Sequence, residues 1–207
     1  MNMEDVKVLW EDGWTIAIVI VDTKVEDYVQ KLQDACKPFA EKRIFPIVVF
    51  IANSYDWTIG TNIDLGKWAW FVVASEQEAM EIADGIQGIV DVQGLINLDA
   101  NDVKTILYGN SDKRSYYATG EDLTGNTGTA IENAVKYSQS RGLDIKDYKK
   151  VLISINYNSA LSREQMEPLN GFLDKLSALH PDSFECKWGV AVSHDMPEGA
   201  VRITLLA

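Results

Sequence analysis

Short runs of almost uninterrupted apolar residues, separated by amphipathic stretches, constrain the fold of this chain more than any other feature of its sequence. Residues 16–21 read IAIVIV and residues 45–52 read FPIVVFIA. Such runs are typical of strands that are buried on both faces of a sheet. Between them, apolar residues recur at helical spacing from Val25 to Phe39, and Pro38 is expected to end that helix. The alternation of strands with helices predicts an α/β fold with at least one mixed sheet.

The same alternation continues through the rest of the chain. Further strands are predicted at 68–74, 149–156, 188–193 and 201–206, and further helices at 75–90, 100–108, 129–141 and 162–176. Capping boxes, in which Ser or Thr precedes Glu or Gln by three positions, indicate helix starts at 23–26, 75–78, 129–132 and 162–165. Gly142 stands where a left-handed residue ends a helix, and Pro168 predicts a kink or a later start in the last helix. The stretch 109–128 is interpreted as polar and irregular.

A chain of 207 residues is long enough for one large domain or two small ones. We expect two regions, a reduced β–α–β segment over residues 1–75 and a second α/β region over residues 76–207. The first region is rich in tryptophan, which indicates aromatic packing of its own, with a binding groove as the alternative. The tryptophans concerned are Trp10, Trp14, Trp57, Trp68 and Trp70.

Charge and composition narrow the possible partners. Nineteen basic and thirty-one acidic residues give a formal charge of −12, which argues against nucleic acid or an anionic membrane as a partner. The apolar runs are shorter than the ~20 residues of a membrane helix, and the start MNMED lacks the basic residues of a signal peptide. Cys36 and Cys186 are predicted to be free thiols in a reducing compartment, which favours a cytoplasmic location. The two histidines lack ligand partners at metal spacing, so no metal and no cofactor are predicted.

Several segments in the second region resemble one family. The run DGIQGIVDVQGLINLDANDVKTIL at 84–107 resembles the end of the central helix and the synergy loop of FtsZ, the bacterial tubulin. The segments KKVLISIN (149–156), KWGVAVSHDM (187–196) and VRITLLA (201–207) are similar, in order and spacing, to strands of that family's C-terminal domain. The resemblance implies an FtsZ-like C-terminal domain over residues 76–207, built as a layer of helices on a mixed sheet.

The resemblance also implies a site. In that family the loop N-x-D-x-x-D enters the nucleotide pocket of the next subunit in a filament, where its acidic residues help to position the water that attacks GTP. The matching residues here are Asn97, Asp99 and Asp102, so the two aspartates are implied to act in trans, with Leu95 and Leu98 shaping the contact together with Asn97. The same two aspartates also fit a helix N-cap with an acidic first turn. Both interpretations stay open at this point.

The sequence departs from the family in its nucleotide loop. The signature GGGTGTG is absent from residues 1–75, and that segment is expected to hold too few elements for the family's nucleotide-binding domain. The nearest string is TGNTGTA at 124–130, where Gly125, Thr127, Gly128 and Thr129 are candidates to cradle a phosphate on backbone N–H groups. The alternative is a loop that only leads into a helix.

Three functions follow as hypotheses. The first is an interaction protein that contacts FtsZ or another tubulin-like protein as a filament cap or regulator. It would be inactive alone and would complete the partner's GTPase site. The second is an autonomous nucleotide-binding protein that uses the loop at 124–130. The third is a structural relic that associates with itself as a homo-oligomer.

Overall fold

The computed structural model describes residues 6–11, 13–55, 58–61, 63, 68–91, 94–110, 114–158 and 162–207. The described residues fall into two compact units. The first unit runs to Gln87 and also includes Arg114 and Ser115, and the second begins at Gly88 and includes the residues from Tyr116 onward. The boundary expected at 75/76 therefore falls inside the first unit.

The first unit is built on a four-stranded sheet. Its strands are β1 (Val6–Leu9), β2 (Ile16–Asp22), β3 (Phe45–Ile51) and β4 (Ala69–Val73), in the order β1-β2-β3-β4. Its helices are α1 (Tyr28–Lys42), α2 (Thr58–Thr61) and the larger part of α3 (Glu76–Asp91). Strands β2, β3 and β4 are parallel, and β1 pairs with β2 in the antiparallel sense. The three parallel strands were predicted, whereas β1 was missed because it is short and only partly buried.

The core of the first unit lies between α1 and the sheet. Helix α1 buries Leu32, Cys36 and Phe39 at helical spacing against β2 and β3. Pro38 lies inside α1, which continues to Lys42, so the prediction that Pro38 ends the helix is wrong. The buried residues on either side of Pro38 hold the last turn against the sheet.

Aromatic side chains take part in this core, as the sequence indicated. Trp70 is buried in it, and Trp10 and Trp68 are partly buried against it. The Trp10 ring lies 5.9 Å from the ring of Phe39, and the Lys42 ammonium lies 4.5 Å from the Trp10 ring centroid. These contacts support the packing interpretation for these tryptophans. Trp57 lies outside the described residues.

The second unit is built on a mixed sheet. Its strands are β5 (Tyr117–Asp122), β6 (Lys150–Tyr157), β7 (Glu185–Val192) and β8 (Val201–Leu206), in the order β5-β8-β6-β7. Its helices are α4 (Ala100–Gly109), α5 (Thr127–Gln139) and α6 (Arg163–Leu179). Strands β6 and β7 are parallel, and β8 runs antiparallel to both β5 and β6. The predicted α/β class with helices on a mixed sheet is confirmed.

Two of the predicted capping boxes are wrong in their details. The Thr23 hydroxyl donates to the carbonyl oxygen of Ile51 at 3.0 Å, and α1 begins only at Tyr28. Helix α5 is capped by Asn126 rather than by Thr129, because the Asn126 side chain accepts the backbone N–H of Thr129. By contrast, the capping box predicted at 162–165 is confirmed, and α6 begins at Arg163.

None of the described helices combines the length and the apolar character that a membrane crossing requires.

Both cysteines are free thiols. Cys36 is buried in α1, and Cys186 is partly buried on β7. Burial raises the pKa of Cys36 to about 12 and the pKa of Cys186 to about 11. Since the thiolate is the reactive form of cysteine, burial lowers the reactivity of both thiols at neutral pH.

Candidate functional site

The segment that matches the synergy loop follows α3 and extends into the first turn of α4, and we call residues 94–102 the acidic loop. Its first part is hydrogen bonded to β7. The backbone N–H of Leu95 donates to the Val190 carbonyl oxygen at 2.8 Å, and the N–H of Val190 donates to the Ile96 carbonyl oxygen at 3.0 Å. A Cβ atom at Gly94 would lie 2.2 Å from the Val190 oxygen. The close approach of the loop to β7 therefore requires glycine at position 94.

The middle of the acidic loop has one buried side chain among exposed ones. Leu98 is only 7% exposed, and a Cβ at Gly189 would lie 2.6 Å from its Cγ atom. Leu98 therefore anchors the loop within the unit, and its predicted place at a partner contact is corrected on this ground. Leu95 is 77% exposed. Asn97 is exposed as well, and its Oδ1 atom closes the turn by accepting the N–H of Gly94 at 2.6 Å.

Asp99 and Asp102 form a capping box at the start of α4. Asp99 Oδ1 accepts the backbone N–H groups of Asn101 and Asp102 at 2.8 and 3.0 Å. In return, Asp102 Oδ2 accepts the backbone N–H of Asp99 at 3.1 Å. Carboxylates are stabilised at a helix N-terminus by its positive dipole end. The capping interpretation is confirmed, and the role in trans stays a prediction.

Capping does not remove these carboxylates from the surface. Asp99 is exposed, and the Asp102 side chain retains 26% of its accessible area. The Lys187 ammonium on β7 lies 3.7 Å from Asp102 Oδ1. The arrangement thus presents two fixed carboxylates and one cation, groups that can orient a water molecule by hydrogen bonding.

Exposed apolar side chains accompany the acidic loop, and we call Leu95, Ile96, Trp188 and Val192 the apolar rim. Ile96, Trp188 and Val192 are about two-fifths exposed, at 41%, 39% and 39%. Ile96 pairs with Val190, and Trp188 and Val192 flank Val190 on β7. No pattern in the sequence singled out these three residues or Lys187. Trp188 and Val192 lie at alternate positions of β7, so their side chains lie on the same face of the strand. Whether that face is exposed can be predicted only when the neighbours of the strand are known.

The loop at 124–130 uses most of its own donors. Asp122 Oδ1 accepts the backbone N–H groups of Thr124 and Asn126 at 2.9 and 2.8 Å and the Thr124 hydroxyl at 2.6 Å. Asn126 Oδ1 accepts the N–H of Thr129 at 3.1 Å. The Thr124 hydroxyl and then the N–H of Asn126 hold the pKa of Asp122 below its ordinary value. A carboxylate of the chain itself therefore accepts two of the backbone N–H groups of this loop.

A cavity of about 360 Å³ lies beside this loop, between the starts of α5 and α6. Glu164 stands on its wall. Thr127 lines the cavity as well, and its fully buried hydroxyl has no hydrogen-bond partner among the described residues. Gly125 makes the turn at φ 77°, and its carbonyl oxygen accepts the Gln165 side-chain amide at 3.0 Å. These contacts favour a helix-entry loop, and Gly128 and Thr129 stay candidates for phosphate binding by sequence alone.

Comparison with known proteins gives one consistent result. No protein-family model matches the chain. Over 133 residues it is 31% identical to cell division protein FtsZ of Neisseria meningitidis serogroup A and of Neisseria gonorrhoeae, an alignment that covers 61% of this chain and 32% of each relative. The match thus spans about a third of the length of these curated relatives.

A solved structure extends the comparison to the fold. The GDP-form protofilament structure of TubZ from Bacillus thuringiensis serovar israelensis matches with a TM-score of 0.59 at 12% identity, over 92% of this chain and 62% of that chain. This chain therefore shares the α/β fold of that structure. The sequence similarity to FtsZ over these 133 residues agrees with this structural match, and the resemblance seen in the sequence is confirmed.

Proposed function

We propose that this chain works by protein–protein contact with FtsZ or another tubulin-like protein, through the acidic loop and the apolar rim. The single observation that carries the proposal is the rigid presentation of Asp99. The loop is hydrogen bonded to β7 on one side of this residue and capped onto α4 on the other. A loop held in this way enters a partner's pocket without a large cost in conformational entropy.

The chemistry proposed for the contact is the orientation of a water molecule. Hydrolysis of a nucleoside triphosphate requires a polar group that aligns water opposite the leaving phosphate. Asp99 is exposed and held in a fixed geometry by its two accepted N–H groups, which is what such a group needs. In this proposal GTP belongs to the partner, and the chain alone does not hydrolyse it.

The proposed outcome for a polymer is capping or regulation. The sequence carries no GGGTGTG loop, and most donors of the loop at 124–130 are used within the chain. A docked molecule would then offer no nucleotide-bearing face to the next subunit. Growth at that filament end would stop while hydrolysis at the contact continued.

Light scattering and phosphate release test this proposal. The purified chain is mixed with FtsZ of Neisseria gonorrhoeae and GTP at ratios up to equimolar. We expect polymer mass to fall, and phosphate release per unit of polymer to rise. Asp99→Asn keeps the cap acceptor and should still bind, but it should lose the stimulation, whereas Asp182→Asn on an exposed turn should behave as wild type. Unchanged polymer mass and phosphate release with the wild-type chain would reject the proposal.

Self-association is the alternative that the apolar rim supports, since exposed apolar residues next to polar ones are typical of interfaces. Sedimentation velocity of the chain alone distinguishes the two. A stable homodimer that is dispersed by Leu95→Ser would favour the alternative. Calorimetry with GTP and with ATP addresses the nucleotide-binding hypothesis, which predicts heat at millimolar nucleotide.

A further inference from the structure

We infer that Lys187 is a positioning residue of the acidic loop, and that it sets how strongly the loop binds a nucleotide-loaded partner. The inference rests on the proposed function. Lys187 lies on β7, and its Nζ atom is 3.7 Å from Asp102 Oδ1. Its side chain retains 43% of its accessible area, so the ammonium is at the surface that carries the loop.

The two carboxylates of the acidic loop have different partners. Asp102 faces the N–H of Asp99 with Oδ2 and Lys187 with Oδ1. Both N–H groups that Asp99 accepts end on its Oδ1 atom. Among the described residues, no donor reaches Asp99 Oδ2. Asp99 thus keeps one carboxylate oxygen that can bind water. Asp102 is fixed by its contacts with the backbone at the start of α4 and with Lys187 on β7.

Charge explains why a cation is useful at this place. The phosphates of a nucleotide repel an approaching loop that carries two carboxylates, and the repulsion is strong wherever water is excluded. With Lys187 beside them, the three groups carry a net charge of one negative unit instead of two. Lys187 therefore reduces the electrostatic opposition to docking and leaves Asp99 Oδ2 unengaged.

Binding to GTP-loaded FtsZ of Neisseria gonorrhoeae tests this role, measured by fluorescence anisotropy at ionic strengths of about 0.01 and about 0.15 M. Lys187→Gln should bind about two- to fivefold more weakly at the lower ionic strength. The difference should shrink at the higher one because salt screens exposed charges. Lys187→Arg should restore binding.

Lys150→Gln is the matched control. Lys150 lies on the neighbouring strand β6 and pairs with Glu185 at 2.8 Å, outside the acidic loop. It should bind as wild type at both ionic strengths. In the double variant Lys187→Gln/Asp102→Asn, removing the lysine should cost less affinity than it does when Asp102 is present. Thermal unfolding should be alike for all variants that keep Asp102.

The outcomes separate the two ideas. If Lys187→Gln binds like Lys150→Gln at both ionic strengths while Asp99→Asn still loses stimulation, the role of Lys187 is wrong and the proposed function stands. A loss that is equal at both ionic strengths, or that Lys187→Arg does not restore, also overturns the electrostatic role. If the wild-type chain does not bind the loaded partner at all, both ideas fail together.

Discussion

Asp99 and Asp102 cap the same helix reciprocally, each accepting the backbone N–H of the other at 3.0 and 3.1 Å. The two residues that the FtsZ resemblance assigns to a partner's chemistry therefore also fix the start of α4. Alanine at either position removes both roles at once. Substitutions that keep an acceptor oxygen and remove the charge are needed to separate them.

Asp99→Ala should lower the free energy of unfolding by about 0.5–2 kcal/mol, the usual cost of a lost N-cap. Asp99→Asn should cost much less, because its amide oxygen still accepts the N–H groups of Asn101 and Asp102. Urea denaturation followed by circular dichroism measures both values. Equal losses for Ala and Asn would mean that the negative charge, rather than the acceptor oxygen, stabilises the helix.

Gly94→Ala should displace the acidic loop from β7, because the new Cβ would lie 2.2 Å from the Val190 carbonyl oxygen. We expect a loss of about 1–3 kcal/mol, as in other overpacked sites, and weaker partner binding. Gly88→Ala is the control, since a Cβ there meets no atom within 4 Å and the position lies within α3. It should stabilise the chain by about 0.5–1 kcal/mol. Similar stabilities for the two variants would contradict the close approach.

Leu95→Ser should weaken binding to a tubulin-like partner by roughly tenfold or more, since burying a leucine side chain contributes about 1.5–3 kcal/mol. Its effect on unfolding should stay within about 0.5 kcal/mol, because the side chain is 77% exposed in the free chain. Leu123→Ser, at a residue that is 65% exposed next to the loop at 124–130, is the control for surface hydrophobicity. Equal binding by both variants would remove Leu95 from the contact.

Asp122 should make stability depend on pH in the acidic range. Its hydrogen bonds with Thr124 and Asn126 lower its pKa in the folded chain. A carboxyl of this kind stabilises the fold above its unfolded-state pKa of about 3.9, and the contribution is lost as the pH falls through the lower folded-state pKa. Wild type should therefore exceed Asp122→Asn in urea midpoint at about pH 6, and the gap should narrow towards about pH 3.

The control for that series is Asp182→Asn, which removes one charge from an exposed turn. It should track wild type across the same pH range. A gap between wild type and Asp122→Asn that stays constant down to about pH 3 would show that the lost contacts, and not the charge of Asp122, are responsible.

The sequence predicted well those elements whose apolar residues indicate burial without any knowledge of tertiary contacts. Strands β2 and β3 are continuous apolar runs, and both are buried along nearly their whole length. Strand β5 was missed because YATGED contains charged residues and a glycine. Glycine is required at position 120 by a tertiary contact, because a Cβ there would lie 2.2 Å from the Ala130 carbonyl oxygen of α5. No local pattern reveals such a contact.

The residues of the candidate site were likewise predicted only where a local sequence pattern marks them. Asp99 and Asp102 were found because they lie three positions apart within a recognisable string. Lys187 joins them only through the pairing of the loop with β7, which depends on contacts between residues far apart in the sequence. Leu98 was misplaced for the same reason, since the space that receives it exists only because residue 189 is glycine.

Strand β8 occupies an inner position of the second sheet, between β5 and β6, although it follows both of them in the sequence. During translation β5 and β6 leave the ribosome well before the strand that joins them. The nascent second unit therefore exposes unpaired strand edges until Val201–Leu206 have emerged, while the sheet of the first unit already has all four of its strands. We therefore expect chaperones to bind the nascent chain mainly during the later part of its synthesis, when these strand edges are unpaired.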